Sequence, residues 1–473
     1  MTELHAVDIA PLPPERFRDV LDADRYDAFL AAIQLARALL KGRKVVNVNS
    51  TAYGGGVAEM LRSLLAYARG AQIDARWLVI SGNPGFFEVT KRIHNHLHGA
   101  SGDAGVLGAA ERKIYDAALT PNARELTAAL SSEDVVLLHD PQTAGLIPAV
   151  KATGATVIWR CHVGLDRPND IARDAWGFLL PDVSHADAVV FSREAYEWEG
   201  LDPQRTTIIP PSIDAFSPKN QELLPEAVTA ILGAARLIDS PAAGEARYTR
   251  VDGQAGHVER VSEFHDGGAP PPADARLVVQ VSRWDRLKDP VGVIEGFAQG
   301  VGPYNDAHLI VAGPSVVAVA DDPEGAEVLE EARVAWAALA DEIKPKVHLA
   351  TLPMEDGEEN AAIVNALQRR ADVIVQKSLA EGFGLTVAEG MWKGRPVVAS
   401  RIGGIQDQIE DGVTGVLIDD PEDLTEYAAD VLSMLDDPEA SEQIGKNARE
   451  RVRDDFLGPR HLMQYVDLIG RLV

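Results

Sequence analysis

The sequence predicts an α/β protein built from two doubly wound domains, and three observations carry that prediction. Short runs rich in β-branched residues recur along the chain, with helical patterns between them. Such alternation means parallel sheets covered by helices on both faces. The alternation stops at "PPSIDAFSPKN" (210–220) and restarts at "RLVVQVS" (276–282), so it occurs in two blocks. The length, 473 residues, exceeds one ordinary core and suits two domains.

In the first block a helical segment (25–40) precedes a strand, "KVVNVN" (44–49), a glycine loop and a helix beginning near Val57. Strands are expected at 75–80, 134–139, 156–161, 186–192 and 206–210. Residues 210–220 are proline-rich and aperiodic and read as a linker. Residues 240–275 are polar, rich in Gly and Pro, and read as a partly mobile surface excursion. In the second block strands are expected at 276–282, 308–313, 346–351, 372–376, 396–400 and 415–418, and residues 421–473 are helical by pattern. The expected domains are therefore 1–213, then 214–455 with an insertion-like segment at 221–275, then a terminal helix at 456–473. Two such halves would form a cleft at the carboxyl edges of their sheets, where ligands bind in this architecture.

Composition narrows the function. Asp and Glu number 72 against 45 Lys and Arg, a net charge of −27. A surface this acidic repels phosphate backbones and argues against nucleic acid as a partner. An anionic substrate would need the few local cations. No apolar stretch approaches the ~18 residues of a membrane span. The first residues, "MTELHAVDIAPLPPERF", lack the basic and apolar regions of a secretion signal. The single cysteine, Cys161, excludes an internal disulfide and fits a reducing compartment, so a cytoplasmic protein is expected.

Four stretches carry candidate chemistry. In "NSTAYGGGVAEML" (49–61), Gly54, Gly55 and Gly56 would let backbone amides approach a ligand at a helix start. It is not a dinucleotide fingerprint: Glu59 stands where a third glycine is needed, and the next strand ends in "VISG" without an acid. A tight packing turn explains the three glycines equally well. In "VSRWDRLKDP" (281–290), Arg283 and Lys288 follow a strand and could hold a diphosphate; a solvated loop with chance charges is the competing reading. In "SLAEGFGLTVAEG" (378–390), Gly382 to Gly384 offer bare amides at a helix starting near Leu385. Glu381 suits sugar hydroxyls, and Glu389, a little over one turn into the helix, suits a ribose diol. Helix capping explains one of these acids but not both. Finally, His139-Asp140 and His162 end adjacent strands. A histidine there can donate to a sugar hydroxyl and an aspartate can orient an acceptor, although strand-end histidines are more often structural. His94 and His98 have helical ligand spacing but no third ligand, so no metal site is expected. No nucleophile elbow, Walker A loop or C-x-x-C pair occurs.

Together these stretches resemble the retaining GT-B glycosyltransferases of family four, whose fold is two Rossmann-like domains with an inter-domain cleft. "EGFGLTVAE" matches the E-x7-E motif of that family and "SRWDRLKDP" its diphosphate-binding loop. Within it, "NSTAYGGGVAEML", "FFEVTKRIHNHLHG" and "EGFGLTVAEGMWKG" are most similar to trehalose glycosyltransferring synthases. Those enzymes move glucose reversibly from a nucleotide-glucose to free glucose, giving α,α-trehalose. The resemblance implies that Arg283 and Lys288 neutralise the donor diphosphate, and that Gly382, Phe383, Gly384 and Leu385 offer amides to phosphate and glucose. It implies Glu381 on the glucose 3- and 4-hydroxyls and Glu389 on the ribose. Gly55 and Gly56 would close on the phosphates, His162 would meet the donor's 6-hydroxyl or the reaction centre, and Asp140 would orient the acceptor. Front-face attack, with a donor phosphate oxygen taking the acceptor's proton, needs no protein nucleophile. The terminal helix would cross back to the N-terminal domain.

The implied partners are nucleotide-glucose (ADP- or UDP-glucose) and glucose or trehalose, with no nucleic acid and no membrane. No cofactor is required; Mg2+ could accompany the diphosphate without protein ligands. Residues 221–275 are longer than the family pattern needs. A retaining trehalose phosphorylase, in which Glu389 would have no ribose to hold, and a transferase with another sugar or sugar-phosphate acceptor are the competing readings. A protein that only binds a sugar nucleotide should have lost its cleft groups, yet Arg283, Lys288, Glu381 and His162 are all present. The base, the physiological direction and the oligomeric state, a homodimer included, stay open at this level.

Overall fold

The computed structural model describes residues 3–52, 55–240, 244–265, 267–316 and 323–473. The chain divides into two compact units, one running to Ser212 and completed by Phe456–Val473, the other formed by Ile213–Asp455.

The first unit is organised by a seven-stranded sheet. Its strands are β1 (Leu4–Val7), β2 (Lys44–Asn49), β3 (Asp74–Ile80), β4 (Val135–His139), β5 (Thr156–Cys161), β6 (Ala188–Phe191) and β7 (Thr206–Ile208). The order is β1-β3-β2-β4-β5-β6-β7. All neighbours are parallel except β1, which pairs antiparallel with β3 at the edge. β4 is buried at every position, as expected of a central strand covered on both faces. One face packs against Phe86, Tyr115, Trp176 and Leu179. The other packs against Ala36 and Leu40, which end and follow the helix Ala23–Leu39, and against Leu468 and Ile469 from the helix Gly458–Leu472. The chain runs from β2 to β3 on one side, then returns to place β4 on the other side of β2. The strand order therefore reverses between β2 and β4, and ligands bind in such sheets outside the carboxyl ends at this point.

The second unit contains β8 (Arg247–Thr249), β9 (Ala255–His257), β10 (Glu263–Phe264), β11 (Leu277–Val281), β12 (His308–Pro314), β13 (Val347–Leu352), β14 (Val373–Gln376), β15 (Val397–Ser400) and β16 (Val416–Ile418). Its main sheet has the order β10-β13-β12-β11-β14-β15-β16, and β8 and β9 form a separate hairpin. Here the order reverses between β11 and β14. The sheet is mixed rather than wholly parallel, because β10 pairs antiparallel with β13. Three helices close the chain: Leu424–Asp436, Pro438–Asp455 and Gly458–Leu472.

The insertion-like segment 221–275 is built of regular elements, and its part 240–275, expected as a partly mobile surface excursion, carries three strands. It contains the helix Pro225–Ala234, the β8–β9 hairpin and the edge strand β10. Its anchor is the helix Gly357–Arg370: Arg250 pairs with Asp356 and Arg260 with the buried carboxylate of Glu359. Glu359 Oε1 also accepts the backbone N–H groups of Glu259 and Arg260, each at 2.7 Å. Gly and Pro content suggested a loose loop; the long-range ion pairs that fix it have no local signature. Within this segment, residues 241–243 and 266 lie outside the described residues.

Candidate functional site

At the second unit's reversal point, two strand-end loops are fastened together. After β11 the chain passes Arg283 and Trp284 and makes a short turn, Arg286–Lys288. The Trp284 indole donates to the Pro314 carbonyl at 3.0 Å and lies over Gly313, where a Cβ would come within 2.6 Å of it. The loop after β14 carries Lys377 and Glu381. Three contacts join the loops. Leu379 N–H donates to the Leu287 carbonyl at 2.8 Å. The Lys288 ammonium pairs with the Glu381 carboxylate. The buried Lys377 ammonium pairs with Asp289, whose backbone is left-handed (φ 49°) and whose other oxygen caps Gly292 N–H at 3.0 Å. Lys288 and Glu381 keep 16% and 13% of their side-chain surface open, so the pair is reachable by a ligand. Arg283 is well exposed and donates to Asp285 at 2.8 Å.

The stretch 381–389 is shaped by contacts with a second loop. Gly384 caps the helix Leu385–Trp392 in a left-handed conformation (φ 80°), which favours glycine. Gly404 N–H donates to the Gly382 carbonyl at 2.9 Å. Gln408 donates to the carbonyl of the buried Phe383 at 2.5 Å. At Gly403 (φ 46°) a Cβ would lie 1.9 Å from the Glu381 carbonyl oxygen, so this glycine permits the close approach that sets Glu381. Glu389 is buried in the helix, with an oxygen 3.6 Å from Lys219 Nζ. Lys393, one turn on, donates to Asn220 Oδ1 at 2.7 Å. Burial lowers the pKa of Lys393, against the opposing pull of Glu389. The sequence suits Glu389 to a ribose diol; in the structure its neighbours are the half-buried Lys219 and the buried Lys393.

In the first unit, Gly55 and Gly56 open the helix Gly55–Gly70 and are exposed. Gly55 has φ 77° and open space where a Cβ would stand, so its conformation rather than its size requires glycine there. Tyr53 and Gly54 of the same motif lie outside the described residues. At the neighbouring strand ends, Asp140 adopts φ 65°, a strained setting for a non-glycine residue that is characteristic of functional positions. Its Oδ1 accepts the His162 N–H at 2.8 Å, and both carboxylate oxygens lie 3.0 Å from His162 Nδ1. Arg160 Nε donates to His162 Nε2 at 2.6 Å. An arginine can only donate, so Nε2 is an acceptor and the imidazole proton sits on Nδ1, aimed at Asp140. Burial lowers the His162 pKa, with Asp140 opposing and Arg160 assisting. Burial alone would raise Asp140, but His162 and its hydrogen bonds bring it down to about 2. The pair is therefore a neutral imidazole on an ionised carboxylate.

His139, one of the candidate donors, is buried. It stacks on His162 with ring centroids 5.6 Å apart, and its Nε2 lies 3.0 Å from Asn47 Oδ1. Burial holds it neutral, well below the ordinary histidine range. Its ring lies against that of His162 on the core side. Arg160, Lys219, Lys377, Asp289 and Gly403 were not singled out from the sequence. Only Gly403, in "RIGGIQDQ", has a local signal; the others act through distant partners.

Two doubly wound units, each with a reversal point in its main sheet, are the architecture of the GT-B fold. Residues 262–451 match the family model for glycosyl transferases group 1, and residues 47–198 match that for the trehalose synthase N-terminal domain. A UDP-forming α,α-trehalose-phosphate synthase from Burkholderia xenovorans, solved with glucose-6-phosphate, superposes with a TM-score of 0.65 at 14% identity, covering 90% of this chain and 99% of that one. The chain belongs to the trehalose synthase family: it is 36% identical over 443 residues to the trehalose synthase of Pyrococcus horikoshii, covering 94% of this chain and 93% of that protein. It is also 26% identical over 452 residues to the trehalose phosphorylase of Grifola frondosa, covering 90% of this chain but 57% of that protein. No helix among the described residues is long and apolar enough to cross a membrane.

Proposed function

We propose that this protein transfers glucose reversibly between a nucleotide-glucose and free glucose, with α,α-trehalose as the product, retaining the anomeric configuration. The observation that carries the reading is the Lys288–Glu381 pair at a sheet reversal point. A cation and a carboxylate held together suit a ligand that presents a diphosphate beside a polyol. Such a ligand gives the lysine a phosphate and the glutamate two hydroxyls; without it the two groups satisfy each other. Membership of the trehalose synthase family supports the acceptor assignment.

In this reading Arg283 and Lys288 stabilise the negative charge that grows on the diphosphate as the bond to glucose C1 breaks. Glu381 holds the sugar hydroxyls. Backbone amides from Gly382 to Leu385, together with Gly55 and Gly56, contact the phosphates and the sugar. Asp140, oriented by His162, positions the acceptor. The acceptor's anomeric hydroxyl oxygen forms the new bond to C1, and its proton passes to a phosphate oxygen of the departing nucleoside diphosphate. The protein's share is positioning and electrostatics. No cofactor takes part, and Mg2+ enters only as a companion of the diphosphate.

A second reading, a trehalose phosphorylase, is favoured by one observation: Glu389 already has Lys219 as a neighbour and needs no ribose. Incubation with trehalose and either phosphate or a nucleoside diphosphate separates the two. Release of glucose-containing products with ADP or UDP supports the transferase. Turnover with phosphate alone would sink it. ADP-, UDP- and GDP-glucose, each with free glucose and read for trehalose, then identify the donor.

A further inference from the structure

Arg160 is fully buried on β5, and among the described residues no carboxylate is a hydrogen-bond partner of it. A buried guanidinium is costly unless its donors are used. All three of its nitrogens are used. Nε donates to His162 Nε2 at 2.6 Å, and one terminal nitrogen donates to the Ile209 carbonyl at 2.9 Å. The other donates to the Tyr465 hydroxyl at 2.8 Å and lies 3.3 Å from His461 Nε2. Since arginine only donates, both imidazoles must present an unprotonated Nε2. His461 then keeps its proton on Nδ1, which meets Ser212 Oγ at 2.9 Å. His162 keeps its proton on Nδ1, which meets Asp140. Arg160 and the Asp140 carboxylate thus meet opposite nitrogens of the His162 ring.

We propose that Arg160 is a positioning residue for transfer: it fixes His162 as a neutral imidazole with its proton committed to Asp140, and it fastens that pair to the helix Gly458–Leu472 through Tyr465 and His461. The tautomer assignment stands on the geometry alone; its kinetic consequence rests on the transferase reading above. While Arg160 is in place, His162 has no proton to give a sugar hydroxyl. It serves by holding the Asp140 carboxylate in its strained conformation.

The test begins with the wild-type chain labelled with 15N-histidine. Its 12 histidines are resolved through long-range 1H–15N couplings, and His162→Gln assigns the signal. The expected spectrum at neutral pH shows His162 protonated on Nδ1 and unprotonated on Nε2. A proton on Nε2 in the wild type overturns the proposal, whether or not the protein transfers sugar. Arg160→Met should then mix the tautomers and lower kcat on the order of 10²-fold, the scale of a misplaced catalytic group, with little change in KM. The groups facing His162 are Asp140, Arg160 and His139, with His461 beyond Arg160. Only the loss of the Arg160 cation changes among them, so His162 should protonate more readily and the acid limb of the kcat profile should move to higher pH. Arg160→Lys, which restores one donor and the charge, should recover roughly tenfold of the loss, one decade of that scale. An Arg160→Met protein with the wild-type tautomer and pH profile overturns the proposal. If that variant does not fold, the wild-type spectrum alone decides.

Discussion

Replacing Lys288 by alanine should lower trehalose formation by roughly 10²–10³-fold, or about 2.7–4 kcal/mol of transition-state stabilisation, while leaving the protein folded. The magnitudes separate as follows. A charge-assisted hydrogen bond contributes about 1.5–3 kcal/mol, and this pair is only partly withdrawn from solvent, with 16% and 13% of the side chains open. The stability loss should therefore sit near the bottom of that range. A native state has ~5–15 kcal/mol in hand, and about 1 kcal/mol moves the midpoint of a domain this large by ~2–4 °C. Activity should collapse; the melting midpoint should fall by a few degrees. The control is Lys288→Met combined with Glu381→Gln, which keeps the shape and removes both charges. Uncharged replacement of a withdrawn ion pair is often neutral for stability, so the double variant should melt near wild type and remain inactive. The assay is the initial rate of trehalose formation from nucleotide-glucose and glucose, beside thermal melts of the same preparations. Lys288→Ala within tenfold of wild type, or a double variant that regains activity along with stability, would refute the reasoning. Either result would make the pair a structural salt bridge.

Three further outcomes are expected. Gly403→Ala forces a Cβ to within 1.9 Å of the Glu381 carbonyl; melts should show a loss of several degrees and transfer rates should drop with it, whereas wild-type activity would detach Glu381 from the site. Glu389→Gln should raise the KM for nucleotide-glucose about tenfold, the equivalent of one hydrogen bond of ~1.4 kcal/mol, and leave the KM for glucose unchanged; identical constants for both substrates would exclude a ribose contact. Stability should fall as pH drops below about 6.5, because His139, His162 and His461 are held neutral chiefly by burial, and burial with the His348 neighbour brings His308 to about 4. These folded-state values lie below the unfolded one, so under acid conditions the unfolded chain binds protons the native state refuses. The stabilisation is complete above the unfolded value and is lost as pH falls, by up to ~1.4 kcal/mol per pH unit for each histidine. Melting midpoints between pH 7 and pH 5 check it; a flat profile would contradict it, and His308→Gln should shallow the slope by about one proton.

What was legible in the sequence follows from how each feature is stabilised. β4 and β14 are apolar at nearly every position because both faces are covered, so a short run of Val, Ile and Leu announces them. β1, with the burial of one residue in four, and β10, of two residues, are edge strands that exist because a neighbouring strand supplies the ladder. Their sequences contain no such signal. The same division runs through the site. Arg283, Lys288, Glu381 and Gly384 stand in loops directly after strands or at a helix start, where local pattern reveals them. Their settings depend on partners far away in the chain: Lys288 on Glu381 across 93 residues, Lys377 on Asp289 across 88, and Arg160 on Tyr465 across 305. Charges so placed have no periodicity, because they answer to geometry rather than to a helix or strand period. For the same reason, Arg160 has no local signature of its partners inside "TVIWRCH", where it reads as an odd charge in a buried strand. A cation at the centre of an apolar run is an expensive choice, and such an exception marks a residue whose partners must be sought elsewhere in the chain. His162 was visible as a strand-end histidine; the direction of its proton is set by that arginine, two residues before it and one hydrogen bond away.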